Sequence, residues 1–456
     1  MTTPAAESQA PLHLTLDGNL AIIELDNPPV NALYDTMREG IAELMPHLEH
    51  NKAVAGILFV GAGRAFSAGV DLKRTATRTE PFFLHAALDA MDRVTKPLFA
   101  AIHGAALGGG LELALTCHYR LAGAQARFGL PEVEVGIIPG ACGTQRLPRI
   151  IPLARALDVA ACGDILDTPE ALRLGLVDET TTEADFRAAA IAWAKAQTGK
   201  LIRRTRDHAL IASQDAQAIF AAAALRAAHE RPGETAPLKA IAAVRAGYEH
   251  GFDAGVEAER QLVSECKYSA EAKAMRHLFF AERAAGKVAA PPQRLTALAL
   301  SGSHAQTLAP IARAANIEIR PDAEIAVHVI GSNETAAPHA LTVILHGKAN
   351  GLVEIATQKN QDAAVLAAIA RLVRPLGRAT VIGRGCQLSQ QLRAAVSGPV
   401  QAFSPQFTAA LSATGEALVA SGAAASTGDI DLLCVAALGF PRPLGGPIYQ
   451  KNLSAS

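Results

Sequence analysis

Leu12, Leu14 and Leu16 alternate with His13 and Thr15; then come Asp17-Gly18 and the apolar run LAIIEL. That period of two, broken by a turn dipeptide, predicts a β-hairpin. VAGILFVG from Val54 and PLFAAIHG from Pro97 are short apolar runs, each ending in glycine. Both predict buried strands. HAALDAMDRVTK, between them, has helical spacing. ARFGLPEVEVG reads as extended and GACGTQRLPRIIPLARALDVAACG as helical. Strands interleaved with helices predict an α/β domain over roughly residues 10–195. From about 196 to 290 the strand signals stop and alanine-rich helical periodicity takes over. GFDAGVEAERQLVSECKYSAEAKAMRHLFFAERAAGKV predicts one long amphipathic helix. The prolines of AAPPQR, 289–294, mark a boundary. LTALALSGSHAQTLAPIARAANIEIRPD then reads strand, turn, helix, strand. VILHG and LVEIA are further strands before a helical tail, and DIDLLCVAALGFPRPLGGPIY is expected to end the ordered part.

Composition narrows the classes. A chain of 456 residues predicts about two or three domains. The net charge is −1 and the pI about 6.9, which argues against nucleic acid or an anionic membrane as partner. The six cysteines are scattered without a CxxC pair, so neither a zinc site nor a disulfide framework is expected. The start, MTTPAAESQAP, lacks the basic and apolar regions of a secretory signal. No unbroken apolar run approaches the roughly 18 residues of a membrane span. The final NLSAS is not a peroxisomal address. The expectation is a soluble cytoplasmic protein.

Candidate chemistry sits in ALGGGLELAL, residues 106–115. Gly108, Gly109 and Gly110 read as a turn opening a helix, where unpaired N–H groups and the helix dipole favour negative charge. Glu112 falls in the first turn among Leu111, Leu113 and Leu115. A second carboxylate, Glu132, follows Pro131 in FGLPEVEVG, with Glu134 as the alternative on the same segment. Two carboxylates converging on one pocket would suit acid–base work beside a developing oxyanion.

In combination these features resemble the enoyl-CoA hydratase/isomerase (crotonase) family. AAIHGAALGGGLELALTCHYRLAGAQARFGLPEVEVGIIPGACGTQRLPRI carries the resemblance most closely. GRAFSAGVDLKR (63–74), NPPVNAL (27–33) and GDILDTPEALRLGLVDE add blocks in the family's order. The resemblance implies that Glu112 and Glu132 hold a water between them. It implies that the N–H groups of Ala68 and Gly109 form an oxyanion hole. Ala68, Gly69, Val70, Asp71 and Gly109 would contact the CoA moiety, and Lys73 is a candidate for its phosphates. The implied reaction is hydration of trans-2-enoyl-CoA to 3-hydroxyacyl-CoA in acyl-CoA degradation. Enoyl-CoA isomerase activity and a non-catalytic acyl-CoA-binding scaffold are the alternatives.

The order of segments also resembles the bifunctional fatty-acid oxidation enzymes, which join a hydratase to an NAD-dependent 3-hydroxyacyl-CoA dehydrogenase. MRHLFFAERAAGKV (275–288), 351–383 and 421–449 carry that likeness. It implies an α/β protein with an N-terminal crotonase-type ββα spiral core (1–195) and a helical linker (196–290). A remnant Rossmann-like α/β unit (291–383) and a C-terminal helical region (384–456) would follow. The departures are specific. Ser301-Gly302-Ser303-His304-Ala305-Gln306 keeps a single glycine where G-x-G-x-x-G is wanted. His346 and Glu354 match the dehydrogenase's catalytic pair, but Gln390 falls near its substrate-contacting asparagine. The expectation is a hydratase with an inactive dehydrogenase remnant that braces the core. No NAD, other cofactor or metal is expected; the acyl-CoA thioester is substrate. A homo-oligomer or a thiolase is the expected protein partner, and the fully bifunctional enzyme is the competing reading.

Overall fold

The computed structural model describes residues 11–72, 84–211, 215–336, 341–347, 350–396 and 404–455. The chain divides into two compact units, Met1–Ser269 and Ala270–Ser456.

In the first unit, β1 (Leu12–Asp17) and β2 (Leu20–Leu25) form the expected hairpin, with Asp17 opposite Leu20 and a two-residue turn. β3 (Gly56–Gly61), β4 (Leu98–Ile102), β6 (Tyr119–Gly123) and β9 (Glu179–Thr181) extend the sheet in parallel, in the order β1-β2-β3-β4-β6-β9. β3 and β4 are buried along their whole length. Their alternate residues serve two cores. Ile57 and Phe59 meet Met37, Ile41 and Met91 of the helices Asp35–His50 and Leu84–Arg93. Leu58 and Val60 meet Ala190 and Ala194 of the helix Phe186–Lys195. Helices on both faces explain why these strands read as unbroken apolar runs rather than alternations.

A second, small sheet stands at the site. β5 (Ala105–Leu107) pairs parallel with β7 (Arg127–Gly129), which pairs antiparallel with β8 (Ile165–Asp167). Three helices, Ala216–Glu230, Ala236–His250 and Phe252–Lys267, complete the unit. Their Phe220, Ile241, Val244 and Val263 bury Val133, Ile138, Leu153 and Leu157. The single long helix expected from Gly251 onward is broken: one helix ends at Lys267 and another runs Ala270–Ala284.

In the second unit β10 (Ala297–Ser301), β11 (Glu318–Ile319), β12 (Ala326–Gly331), β13 (Leu341–His346), β14 (Asn350–Thr357) and β15 (Gly377–Arg384) are ordered β11-β10-β12-β13-β14-β15. The predicted strand–turn–helix–strand is present, with the helix Ala305–Ala314 between β10 and β11. β14, the helix Ala363–Leu372 and β15 form a parallel crossover. β13 and β14, by contrast, are antiparallel. Three residues separate them, and a parallel return needs a dozen or more. The helix Pro447–Ala455 extends beyond Tyr449, where the pattern had placed the end of order.

Candidate active site

The site is built on the N-terminus of the helix Gly109–Thr116. Gly108 precedes it at φ +52, and its N–H donates to the Gly129 carbonyl at 2.9 Å. A Cβ on Gly108 would lie 2.6 Å from Glu132 Oε1, so only glycine leaves room for that carboxylate. A Cβ on Gly110 would lie 2.3 Å from the Ser67 carbonyl oxygen, which locks the helix against the segment 67–70.

Glu112 lies in the helix's first turn and is 2% exposed. Its Oε1 accepts hydrogen bonds from the Ala141 and Gly143 amides, at 2.7 and 2.9 Å. Burial pushes its carboxyl up to about 7, against the opposing pull of those two amides and the charge of Arg146. Glu132 sits in a 3₁₀ turn, Pro131–Val135. Part of the residue is exposed, but Oε2 is sealed from solvent and has no hydrogen-bond partner among the described residues. Burial raises its carboxyl well above the usual range, and the charge of Glu112 raises it further. The two groups resist simultaneous ionisation, the condition that separates an acid from a base. Glu134 faces away: it pairs with Arg231 at 2.8 Å.

The segment 67–71 passes the mouth of the same helix. The Ser67 hydroxyl donates to the Asn31 carbonyl at 2.7 Å and accepts from the Gly69 amide at 3.1 Å. Asn31, itself at φ +52, donates from Nδ2 to the carbonyls of Ala62 and Ala65, which ties the turn 27–33 to this segment. Gly69 is at φ +84, and a Cβ there would lie 2.9 Å from the Gly109 nitrogen.

The Enoyl-CoA hydratase/isomerase family profile matches residues 15–236. The Probable enoyl-CoA hydratase of Bacillus subtilis (strain 168) is 40% identical over 201 residues, 42% of this chain and 77% of that protein. The chain belongs to the enoyl-CoA hydratase/isomerase family. The Peroxisomal bifunctional enzyme of Cavia porcellus is 38% identical over 289 residues, 61% of this chain but only 39% of that protein. The solved structure of a monofunctional enoyl CoA isomerase from M. smegmatis is 30% identical, with a TM-score of 0.37, covering 42% of this chain and 87% of that one.

One residue expected from the family resemblance does not fit. The single N–H of Ala68 already donates to the Val30 carbonyl at 2.9 Å, so it cannot also meet a substrate oxygen. Two residues on, the Val70 N–H has no hydrogen-bond partner among the described residues. Val70 Cγ2 lies 3.3 Å from where a Gly109 Cβ would stand. Gly109 opens the helix, so its own N–H has no acceptor within it. Lys73 lies outside the described residues.

A third carboxylate was missed. Glu259, on the helix Phe252–Lys267, is fully buried. Burial and then the charge of Glu112 push it up to about 8. The signal was present in the sequence: Gly255, Val256, Glu259, Val263 and Cys266 form one buried stripe at helical spacing, and Glu259 is the charged member of it. His85, Cys142 and Glu259 place ligand atoms within 4.8 Å of one another. Both Glu259 oxygens already accept hydrogen bonds and burial drives the Cys142 thiol up, so the trio is a poor metal site.

In the second unit His346 Nε2 and Glu354 Oε2 are 2.9 Å apart, both side chains sealed from solvent. The turn after β10 does not fit a dinucleotide. A Cβ on Gly302, its single glycine, would lie 2.3 Å from the Val329 carbonyl oxygen. Glu334 closes the turn, its Oε1 accepting from Ser303 Oγ at 2.5 Å and the Gly331 amide at 2.8 Å. A carboxylate in this turn repels an anion such as a pyrophosphate. No helix among the described residues is long and apolar enough to cross a membrane.

Proposed function

We propose that this chain hydrates trans-2-enoyl-CoA thioesters to 3-hydroxyacyl-CoA. The observation that carries the reading is the pair of buried carboxylates at one helix N-terminus. Glu112 is fixed by two amides, and Glu132 keeps a buried oxygen unpaired. That oxygen can accept from a water.

In this reading the thioester oxygen sits between the amides of Val70 and Gly109, with Gly69 giving the acyl chain clearance and Asp71 closing the CoA loop. Each amide contributes about 3 kcal/mol to the developing oxyanion. One glutamate takes a proton from the water as its oxygen bonds to C3. The alkene electrons move onto the thioester oxygen, and the second glutamate delivers a proton to C2. The reaction needs no cofactor. A double-bond shift uses one carboxylate as shuttle, so isomerisation is the slower side reaction.

The paired His346 and Glu354 favour a second reading, a bifunctional enzyme with dehydrogenase activity. The Glu334-blocked turn weighs against it, and we assign 291–383 and 384–456 to a non-catalytic remnant that follows the hydratase domain, 1–195, and the linker, 196–290, in the chain. A cytoplasmic location and association with a second copy or a thiolase complete the proposal.

The test mixes the full chain with crotonyl-CoA and then a medium-chain enoyl-CoA, following the enoyl-thioester absorbance, with NAD added last. Loss of absorbance without NADH supports the hydratase reading. NADH formation overturns the account of the second half. No loss with either substrate removes hydration and leaves another crotonase-type reaction or an acyl-CoA-binding scaffold.

A further inference from the structure

The proposed hydration uses Glu112 and Glu132 and leaves Glu259 without a task. Its hydrogen bonds supply one. Successive N–H groups of the turn Ala141–Thr144 point to opposite sides. Ala141 and Gly143 donate to Glu112 Oε1 at 2.7 and 2.9 Å. Cys142 donates to Glu259 Oε1 at 2.7 Å, and Thr144 donates to Glu259 Oε2 through its amide at 3.2 Å and its hydroxyl at 2.5 Å. The turn is thus held between two buried carboxylates.

The turn does not rest in this shape unaided. Cys142 is at φ +68, a left-handed conformation that a side chain other than glycine or asparagine adopts rarely. A Cβ on Gly143 would lie 2.7 Å from Glu112 Oε1, so the backbone is pressed onto that carboxylate. The strain persists only if something outside the turn holds it, and Glu259 grips it at three donors. The gripping helix is itself well seated. Phe252, at its start, lies under the guanidinium groups of Arg146, Arg149 and Arg206 at 5.1 to 5.3 Å. Gly255, one turn before Glu259, allows close approach to Gln145.

We propose that Glu259 is a positioning residue: it clamps the Ala141–Thr144 turn from behind, so that the Ala141 and Gly143 amides hold the Glu112 carboxylate in its reactive orientation. The proposal rests on the reading of Glu112 as an acid–base group. It places a determinant of hydration on the downstream helix 252–267 and thereby gives that helix a part in catalysis.

The experiment uses the full chain with Glu259→Gln, Glu259→Ala and Thr144→Val, and two readouts: amide hydrogen exchange over residues 141–144, and kcat and KM with crotonyl-CoA. Glu259→Ala is expected to speed exchange at these amides by at least about tenfold. It is expected to lower kcat by about 10²-fold, as misplacement by an ångström does, with KM changed by less than about threefold. Glu259→Gln keeps one acceptor oxygen and falls between Ala and wild type. Thr144→Val loses the hydroxyl that donates to Glu259 and accepts from Gln145 Nε2 at 2.8 Å but keeps both amide donors; it shifts both readouts in the same direction by less, and decides the matter if the Glu259 variants do not fold. Folded variants with wild-type exchange at 141–144 overturn the clamp, whatever their kcat. If exchange rises and kcat does not fall, the turn is clamped but does not position Glu112, and the proposal fails. If the wild type itself does not hydrate crotonyl-CoA, the proposed function fails, and exchange alone still judges the clamp.

Discussion

Burial sets the working charge of the site. Glu112 is surrounded by apolar side chains and its carboxyl is pushed up to about 7, above the usual 4.3 or so of a free glutamate. The folded state therefore holds a proton that the unfolded chain releases between those values. The contribution of Glu112 to stability is least unfavourable below the unfolded value and becomes more unfavourable as pH rises to about 7. Thermal unfolding measured from pH 4.5 to 7.5 should show that slope, and Glu112→Gln should flatten it. In catalysis, kcat/KM should rise with pH toward neutrality, because the carboxylate that acts as base must ionise. Replacing Glu112 or Glu132 by Gln is expected to cut kcat by about 10²- to 10⁴-fold while acyl-CoA binding, followed by calorimetry, persists. Equal loss of binding would point to collapse of the pocket. Gly108→Ala tests the space itself: a Cβ 2.6 Å from Glu132 Oε1 at φ +52 should lower both kcat and melting temperature.

Elements explain why distant residues meet. The strands β3 and β4 sit at the sheet centre because both faces of each are apolar, and the segments that follow them, 62–70 and 103–112, bring the loop 67–70 and Glu112 to one place. Ser67 bridges to Ala106 across them. The helices 236–250 and 252–267 cross where Gly247 and Gly255 let the two backbones meet with the Gln145 side-chain amide beside both. A Cβ on Gly255 would lie 2.1 Å from Gln145 Oε1 and 2.6 Å from Gly247 Cα. Gly255→Ala therefore overpacks a backbone-to-backbone crossing, at a cost of about 1–3 kcal/mol. Melting should fall by roughly 2–4 °C per kcal/mol, and the exchange rate at 141–144 should rise with it. Unchanged melting would mean that the crossing is loose.

On the scale of the whole chain, helices 216–267 belong to the first compact unit. They carry Phe220, Ile241, Val244 and Val263 against Val133 and Leu153. A fragment of residues 1–269 is expected to be soluble and to hydrate crotonyl-CoA within a few-fold of the full chain. A fragment ending at 195 bares that apolar surface and should aggregate. A soluble, active 1–195 fragment would contradict this reading. The second unit should bind no NAD in a titration followed by NADH-type fluorescence or calorimetry, since Glu334 occupies the turn after β10.

Much of this was legible along the chain. Alternation placed the first hairpin, unbroken apolar runs placed β3 and β4, and three glycines before a lone buried glutamate placed the helix N-terminus and Glu112. These signals are local: each depends on the side chains of a few neighbouring residues and the period of one element. Three decisions belonged to tertiary structure. Whether the Ala68 or the Val70 amide keeps an unpaired N–H among the described residues depends on the Val30 carbonyl, which a different segment brings to Ala68. The antiparallel pairing of β13 with β14 depends on the three-residue link between them. Glu259 reaches the Cys142 amide across 117 positions of sequence; periodicity marks it as buried but cannot name what it meets. A hydrogen bond has a partner and a direction, and only the folded chain supplies both.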